Sequence, residues 1–213
     1  MARILVLGGH GKVALLLERL LADRGDDVDA LIRNPEHAGD VEAAGAHPVV
    51  ADLQAMSADE LAVVFTGHDA VVWSAGAGGG SPARTWAIDR DAAIRSMEAA
   101  AKAGVDRYVM VSYFGSSPDH GVSESDAFYA YAESKAAADE HLRGTDLAWT
   151  ILGPSRLTDG AGTGRIDATA ETSDAVDRAD VAAVIAAVLD QDGTIGRTIR
   201  FNAGETPVAE AVA

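Results

Sequence analysis

In AFYAYAESKAAADEHL, residues 127 to 142, Tyr131 and Lys135 stand four positions apart, a phenol and an ammonium that together could pass a proton. A phenol alone, with a pKa of about 10, relays protons poorly at neutral pH; a neighbouring cation that lowers it makes a general acid–base pair. The segment is rich in helix formers, and SESD (123–126) just upstream supplies residues able to cap it. At about 100° per residue, Tyr131 and Lys135 fall on one helix face while Tyr129 points away, so only Tyr131 can work with Lys135. The same spacing also gives an ordinary surface pair on a helix, and what the rest of the chain builds around it decides between the two.

A second constellation lies at the start. GGHGKVA (8–14) follows the apolar run RILVLG (3–8) and opens a helix expected over 11–24, giving Gly8-x-x-Gly11-x-x-Ala14 in the order strand, loop, helix. Glycines there let backbone N–H groups approach a pyrophosphate, the helix N-terminus adds partial positive charge, and a small residue at 14 allows close helix–strand packing. Lys12 adds a local cation. The strand DVDALIR (27–33) ends in Arg33-Asn34. A base at that end suits a 2'-phosphate, whereas a free ribose hydroxyl calls for an acid, so NADP(H) is expected over NAD(H). The competing Asp29 stands near the strand's beginning, away from the carboxyl ends where ligands bind. HPVVA (47–51) leads into Asp52 and Leu53, expected beside the adenine, and DAVVWSA (69–75) leads into SAGAGGG (74–80), where Ala75 and Gly76 leave room for the cofactor's middle.

The positioning elements follow from alternation. Strand-like runs, with RYVMVSY (107–113) and LAWTIL (147–152) completing the set, alternate with helices expected near 11–24, 35–44, 57–65, 85–103 and 125–143. That order predicts an α/β fold, a doubly wound parallel sheet of Rossmann-like type. Ser57 and Glu60 form a capping box, and Gly25, Gly45, Gly104 and Gly144 stand where helices should stop. The tail adds RIDATA, a helix near 178–190 and GRTIRFN. It is too small for a second domain and is expected to cover the substrate side, with a mobile loop at 159–164 and a fraying ETPVAEAVA terminus.

With 213 residues the chain fits one domain. It has no cysteine, which excludes disulfides, thiolate zinc sites and cysteine nucleophiles. A formal charge of -16 disfavours nucleic acid and anionic membranes as partners. The first apolar run is too short for a signal segment or a membrane span, so a cytoplasmic protein with a small-molecule substrate is expected. The six histidines show no metal-ligand spacing. The acids around 119–126 suit a solvated loop, and Trp73 and Trp149 suit the core.

With these motifs in order, joined by Ser112 in VMVSYFGS and by WTILGPSRLTD, the chain resembles the atypical short-chain dehydrogenases/reductases. Specifically it looks like the small NAD(P)H-binding proteins related to the NmrA-like and biliverdin reductase B-like groups, over about residues 2–203. The resemblance implies that Gly8, His10, Gly11, Lys12 and Val13 line the diphosphate, Arg33 and Asn34 the adenosine phosphate, Asp52 and Leu53 the adenine, and Ala75 and Gly76 the linker. It places Pro154 and Ser155 near the nicotinamide and Leu157 near the substrate. Ser112, Tyr131 and Lys135 match the reductase triad, Ser112 polarising a carbonyl and Lys135 also holding the nicotinamide ribose. Gly153 departs from the pattern, since relatives often carry Arg there. The implied activity is hydride transfer from NADP(H) to a small carbonyl, quinone-like or flavin-like substrate. The alternatives are a non-catalytic redox sensor acting through a protein partner and a sugar-nucleotide epimerase, whose relatives usually have a larger C-terminal region.

Overall fold

The computed structural model describes residues 1–79 and 81–213. A nine-stranded sheet forms its centre. In chain order its strands are β1 (Arg3–Leu7), β2 (Asp27–Ile32), β3 (His47–Val50), β4 (Ala70–Trp73), β5 (Arg107–Val111), β6 (Ala148–Pro154), β8 (Arg165–Asp167), β10 (Arg197–Ala203) and β11 (Thr206–Pro207). Their spatial order is β11-β8-β10-β6-β5-β4-β1-β2-β3, parallel from β10 to β3, with β8 antiparallel to both β10 and β11 at one margin. Because β1 pairs with both β2 and β4, the order of winding reverses there, which opens a crevice at the carboxyl ends of these strands. This is the Rossmann-like arrangement, in one domain.

The strands are apolar on both faces because helices cover both. Ile4, Val6, Val72 and Val109 point to α1 (Lys12–Arg24) and α7 (Arg178–Leu189). Leu5, Leu7, Trp73 and Met110 point to α3 (Ala58–Phe65), α5 (Ala93–Ala103) and α6 (Tyr129–Arg143). Gly25 and Gly104 end α1 and α5 in the left-handed conformation, and the Ser57–Glu60 capping box starts α3.

Several boundaries differ from expectation for identifiable reasons. The helix expected over 35–44 opens as a 3₁₀ turn, Pro35–His37, whose first amide is taken by the Asn34 side chain, and continues as α2 (Ala38–Ala43). The helix expected over 85–103 begins earlier as α4 (Pro82–Thr85) and passes through a π-helical stretch, Trp86–Ala92, before α5. The helix α6 starts at Tyr129, not 125. Asp126 caps only the turn before it, through the Phe128 amide, and Phe128 itself offers no side-chain cap. Two short strands, β7 (Arg156–Thr158) and β9 (Ala175–Asp177), pair outside the main sheet. The terminus expected to fray docks instead: β11 and α8 (Val208–Ala211) bury Val208 and Val212.

The loop at 159–164 is held rather than loose. Asp177 accepts from the Thr158 hydroxyl and from the amides of Gly160 and Gly162, and Asp180 accepts from those of Thr163 and Gly164. At the far edge of the sheet, the four-residue β3 contains Pro48 and leaves Val50 exposed. Among the described residues, no helix is long and apolar enough to cross a membrane.

Candidate functional site

The turn after β1 is shaped by close approach. Gly8 has φ +85°, and a Cβ on it would lie 2.6 Å from the Ala75 Cα; a Cβ on Gly9 would lie 2.6 Å from the Ala30 Cβ. Both amides donate to the Leu31 carbonyl, at 3.1 and 2.9 Å, which ties the turn to β2. Any side chain at 8 would push β1 and β4 apart at the crevice. Gly11 then caps α1, whose first turn carries no acid to oppose the positive end of its dipole.

A groove of about 490 Å³ runs from this turn across the strand ends. Gly8, His10, Gly11, Arg33, Asn34, Asp52, Leu53, Ala75 and Gly76 line it, as the motifs imply. The last glycine of SAGAGGG, residue 80, lies outside the described residues. The Asp52–Leu53 turn is fixed from α5, where Arg95 donates to the carbonyls of Leu53 (3.0 Å) and Met56 (3.2 Å). Arg33 is exposed and its guanidinium has no partner among the described residues. His10 stacks on His37, ring centroids 3.6 Å apart, and bonds Asp40 at 2.8 Å.

Five members of the expected cofactor set, Lys12, Val13, Lys135, Pro154 and Ser155, are not among the residues that line the groove. The Lys12 ammonium lies 2.9 Å from Asp159, which Arg178 also holds, and so joins the glycine turn to the tail. Val13 is buried in the core. The rejected Asp29 bonds Arg3 (2.7 Å) and buried His68 (2.9 Å), an ion cluster away from the groove lining. His37, Gln54, Ser74, Arg84 and Ile88 also line the wall and were not anticipated. His37 and Gln54 lie just past strand ends, a position that could have flagged them; Arg84 carries no local signal.

The three triad residues are brought together around α6, but they do not bond one another. Lys135, 1 % exposed, donates to the Val111 carbonyl at 2.7 Å. Ser112 donates at 2.6 Å to Asp139, one turn beyond Lys135, and Ser116 donates to the same oxygen. Tyr131 packs in an aromatic cluster, 5.5 Å from Tyr113 and 5.1 Å from Phe128 between centroids. The expected lowering of the phenol is absent. Burial, reinforced by Asp89, Tyr113 and Asp139, raises the Tyr131 pKa well above its ordinary value. Burial also lowers that of Lys135, opposed by the charges of Asp139 and Asp89. Asp89 sits in the π-helical stretch, accepts from the Ala77 amide at 3.0 Å, and is itself raised by burial. The lysine is thus flanked by two buried acids. Asp139 was legible in principle, being four residues after Lys135 on the same face; Asp89 was not.

Ser155, expected near the nicotinamide, has a buried hydroxyl with no partner among the described residues. Pro154 precedes it at the end of β6, and Leu157 is partly buried in β7. Gly153 faces Arg200 of the neighbouring strand: the two are paired in register, and a Cβ at 153 would lie 2.9 Å from the Arg200 Cγ. Arg200 therefore fills the space that a side chain at 153 would need, and places its guanidinium 5.7 Å over Phe114. Among the described residues no cluster of His, Asp or Glu could hold a metal ion.

Residues 8–192 match the family model described as NAD(P)H-binding. The chain belongs to this NAD(P)H-binding family. It is 34% identical to the uncharacterized sugar epimerase YhfK of Bacillus subtilis, over 99% of this chain and 98% of that protein. Among solved structures, a candidate NAD-dependent epimerase/dehydratase from Bacillus halodurans superposes with a TM-score of 0.91 at 34% identity, covering 100% of this chain and 99% of the other. The oxidoreductase ylbE from Lactococcus lactis gives 0.88 at 30% identity, over 99% and 94%. Family membership accounts for the glycine turn and groove together, and the fold is that of the atypical short-chain reductases.

Proposed function

We propose that the protein is an NADP(H)-dependent oxidoreductase that reduces a small carbonyl, quinone-like or flavin-like substrate in the cytosol. The observation that carries this reading is the glycine-floored groove, with an Arg33 at its adenosine end that has no partner among the described residues, in a chain otherwise strongly acidic. The groove fits a dinucleotide because Gly8 lets the turn meet Ala75 and because α1 presents an unopposed N-terminus. Bound there, the cofactor supplies the hydride. Arg33 and Asn34 hold the adenosine phosphate, Asp52 and Leu53 border the adenine, and Ala75 and Gly76 admit the linker. Ser155, whose hydroxyl has no partner among the described residues, would orient the nicotinamide end from beyond the groove lining.

On this reading Lys135 holds the ribose and Tyr131 delivers the proton to the substrate oxygen. The phenol holds its proton at neutral pH, but its raised pKa makes it a weaker acid than a free tyrosine, so donation requires that the bound substrate and cofactor lower it. Ser112 turns from Asp139 to the substrate oxygen. Titration of NADPH and NADH against wild type and Arg33→Ala tests the cofactor assignment. Losing a charge-assisted contact of about 1.5 to 3 kcal/mol should weaken NADPH and spare NADH. Equal weakening of both, or a wild type that prefers NADH, refutes it.

One observation favours a second reading, a non-catalytic sensor that passes the NADP(H) state to a protein partner: Ser112 is engaged by Asp139, and Tyr131 bonds neither Ser112 nor Lys135. A partner captured only with NADPH bound, without turnover, supports it. The Bacillus subtilis relative bears a sugar epimerase name at this same length, so a short C-terminal region does not by itself set that chemistry apart. Net NADPH oxidation does, because epimerisation consumes none.

A further inference from the structure

An anionic dinucleotide entering a protein of charge -16 needs local cations, and the sequence offers Lys12 for the diphosphate. The structure commits that ammonium to Asp159, a carboxylate that Arg178 also holds. The only arginines among the groove-lining residues are Arg33 and Arg84. Arg33 follows β2, on the far side of the glycine turn from β4. Arg84 comes from α4, on the connection that leaves β4, and lines the groove together with Gly76, Ala77 and Gly78. These residues continue directly from Ala75, whose backbone is in contact with Gly8. Arg84 thus enters the groove from the β4 side of the glycine turn, and Arg33 from the β2 side.

The guanidinium of Arg84 is also unspent. Ser81 caps its backbone amide, but the side chain makes no ion pair among the described residues, and its Nε is buried without a partner. A buried N–H of a cation with no acceptor is costly, and the cost is relieved by an anion that reaches it. We propose that Arg84 is the charge partner of the cofactor's diphosphate, in the place the sequence gives to Lys12. The proposal rests on the dinucleotide reading and adds a binding residue to it.

Calorimetric titration of NADPH, NADH and adenosine diphosphate, with adenosine as a diphosphate-free competitor, tests this on wild type, Arg84→Gln and Arg33→Ala. Arg84→Gln should weaken NADPH, NADH and adenosine diphosphate together, by roughly 10- to 100-fold, and leave adenosine unchanged. Arg33→Ala should affect NADPH alone, and Arg84→Lys should recover part of the loss with an unchanged melting temperature. Unaltered affinity of Arg84→Gln for adenosine diphosphate overturns the proposal. So does a loss confined to NADPH, which would place Arg84 at the 2'-phosphate, or a rise in substrate KM alone, which would place it at a substrate anion. A wild type that binds neither dinucleotide brings down the function reading as well, and that result is distinct from a tight-binding wild type matched by Arg84→Gln.

Discussion

Glu18 lies on the buried face of α1 with 0 % exposure, and neither carboxylate oxygen has a partner among the described residues. Burial raises its pKa from the ordinary 4.5 to about 8. With the folded value above the unfolded one, the stabilising effect of the bound proton is full below about pH 4.5 and is lost as pH rises through about 8. Wild type should therefore lose stability across that window, by an amount on the order of a few kcal/mol. Glu18→Gln should remove most of this slope, and Glu18→Met, which leaves no polar atom to satisfy, should be more stable than wild type at pH 8. Urea midpoints between pH 5 and 8 measure both; parallel profiles for wild type and Glu18→Gln would refute the assignment. The catalytic reading makes its own demand. Tyr131→Phe should bind NADPH normally while turnover drops by roughly 10² to 10⁴. Lys135→Met should lose turnover and affinity together, and Tyr129→Phe, whose hydroxyl faces Glu133, should change neither. Stopped-flow NADPH oxidation with quinones, flavins and aldehydes checks this, and a Tyr131→Phe enzyme as fast as wild type would rule out the phenol as proton donor.

Between elements, the most consequential constraint is the pair of carboxylates that gathers residues 158–164. Asp177 is stabilised in its charged form by the Thr158 hydroxyl and the Gly160 amide, which hold its pKa below the ordinary carboxylate range. Asp177→Ala should release the amides of Gly160 and Gly162, so that they exchange faster with solvent while the central strands keep their protection. Unchanged exchange at these two glycines would show that other contacts fix the loop. The sequence exposed the glycines of this loop but not the two acids, 15 to 17 residues away, that fold it, and so suggested mobility. The same limit explains other differences. Alternating strands and helices, and the stops at Gly25 and Gly104, were legible because each signal is local. The π-helical stretch at Trp86–Ala92 was not, since an extra residue in a turn leaves the composition of a good helix intact. Likewise Tyr131 and Lys135 could be placed on one face from spacing alone. Their failure to bond depends on Val111, Asp89 and Asp139, which reach them through tertiary packing.

For the molecule as a whole, charge and topology act in opposite senses at the groove. Thirty-three acids against seventeen lysines and arginines repel anions generally. The crevice at the β1–β4 reversal nevertheless gathers two arginines, a helix N-terminus and a single lining carboxylate, Asp52. That local inversion of sign was only half visible in the chain order, because Arg84 reaches the groove through a connection whose path no motif specifies. The margins of the sheet have a different consequence. Both outermost strands are short and each contains a proline, Pro48 in β3 and Pro207 in β11. Proline offers no N–H to an incoming strand, so neither margin is a good template for adding another chain's backbone. The protein is thereby guarded on both flanks against edge-to-edge aggregation and fibril growth.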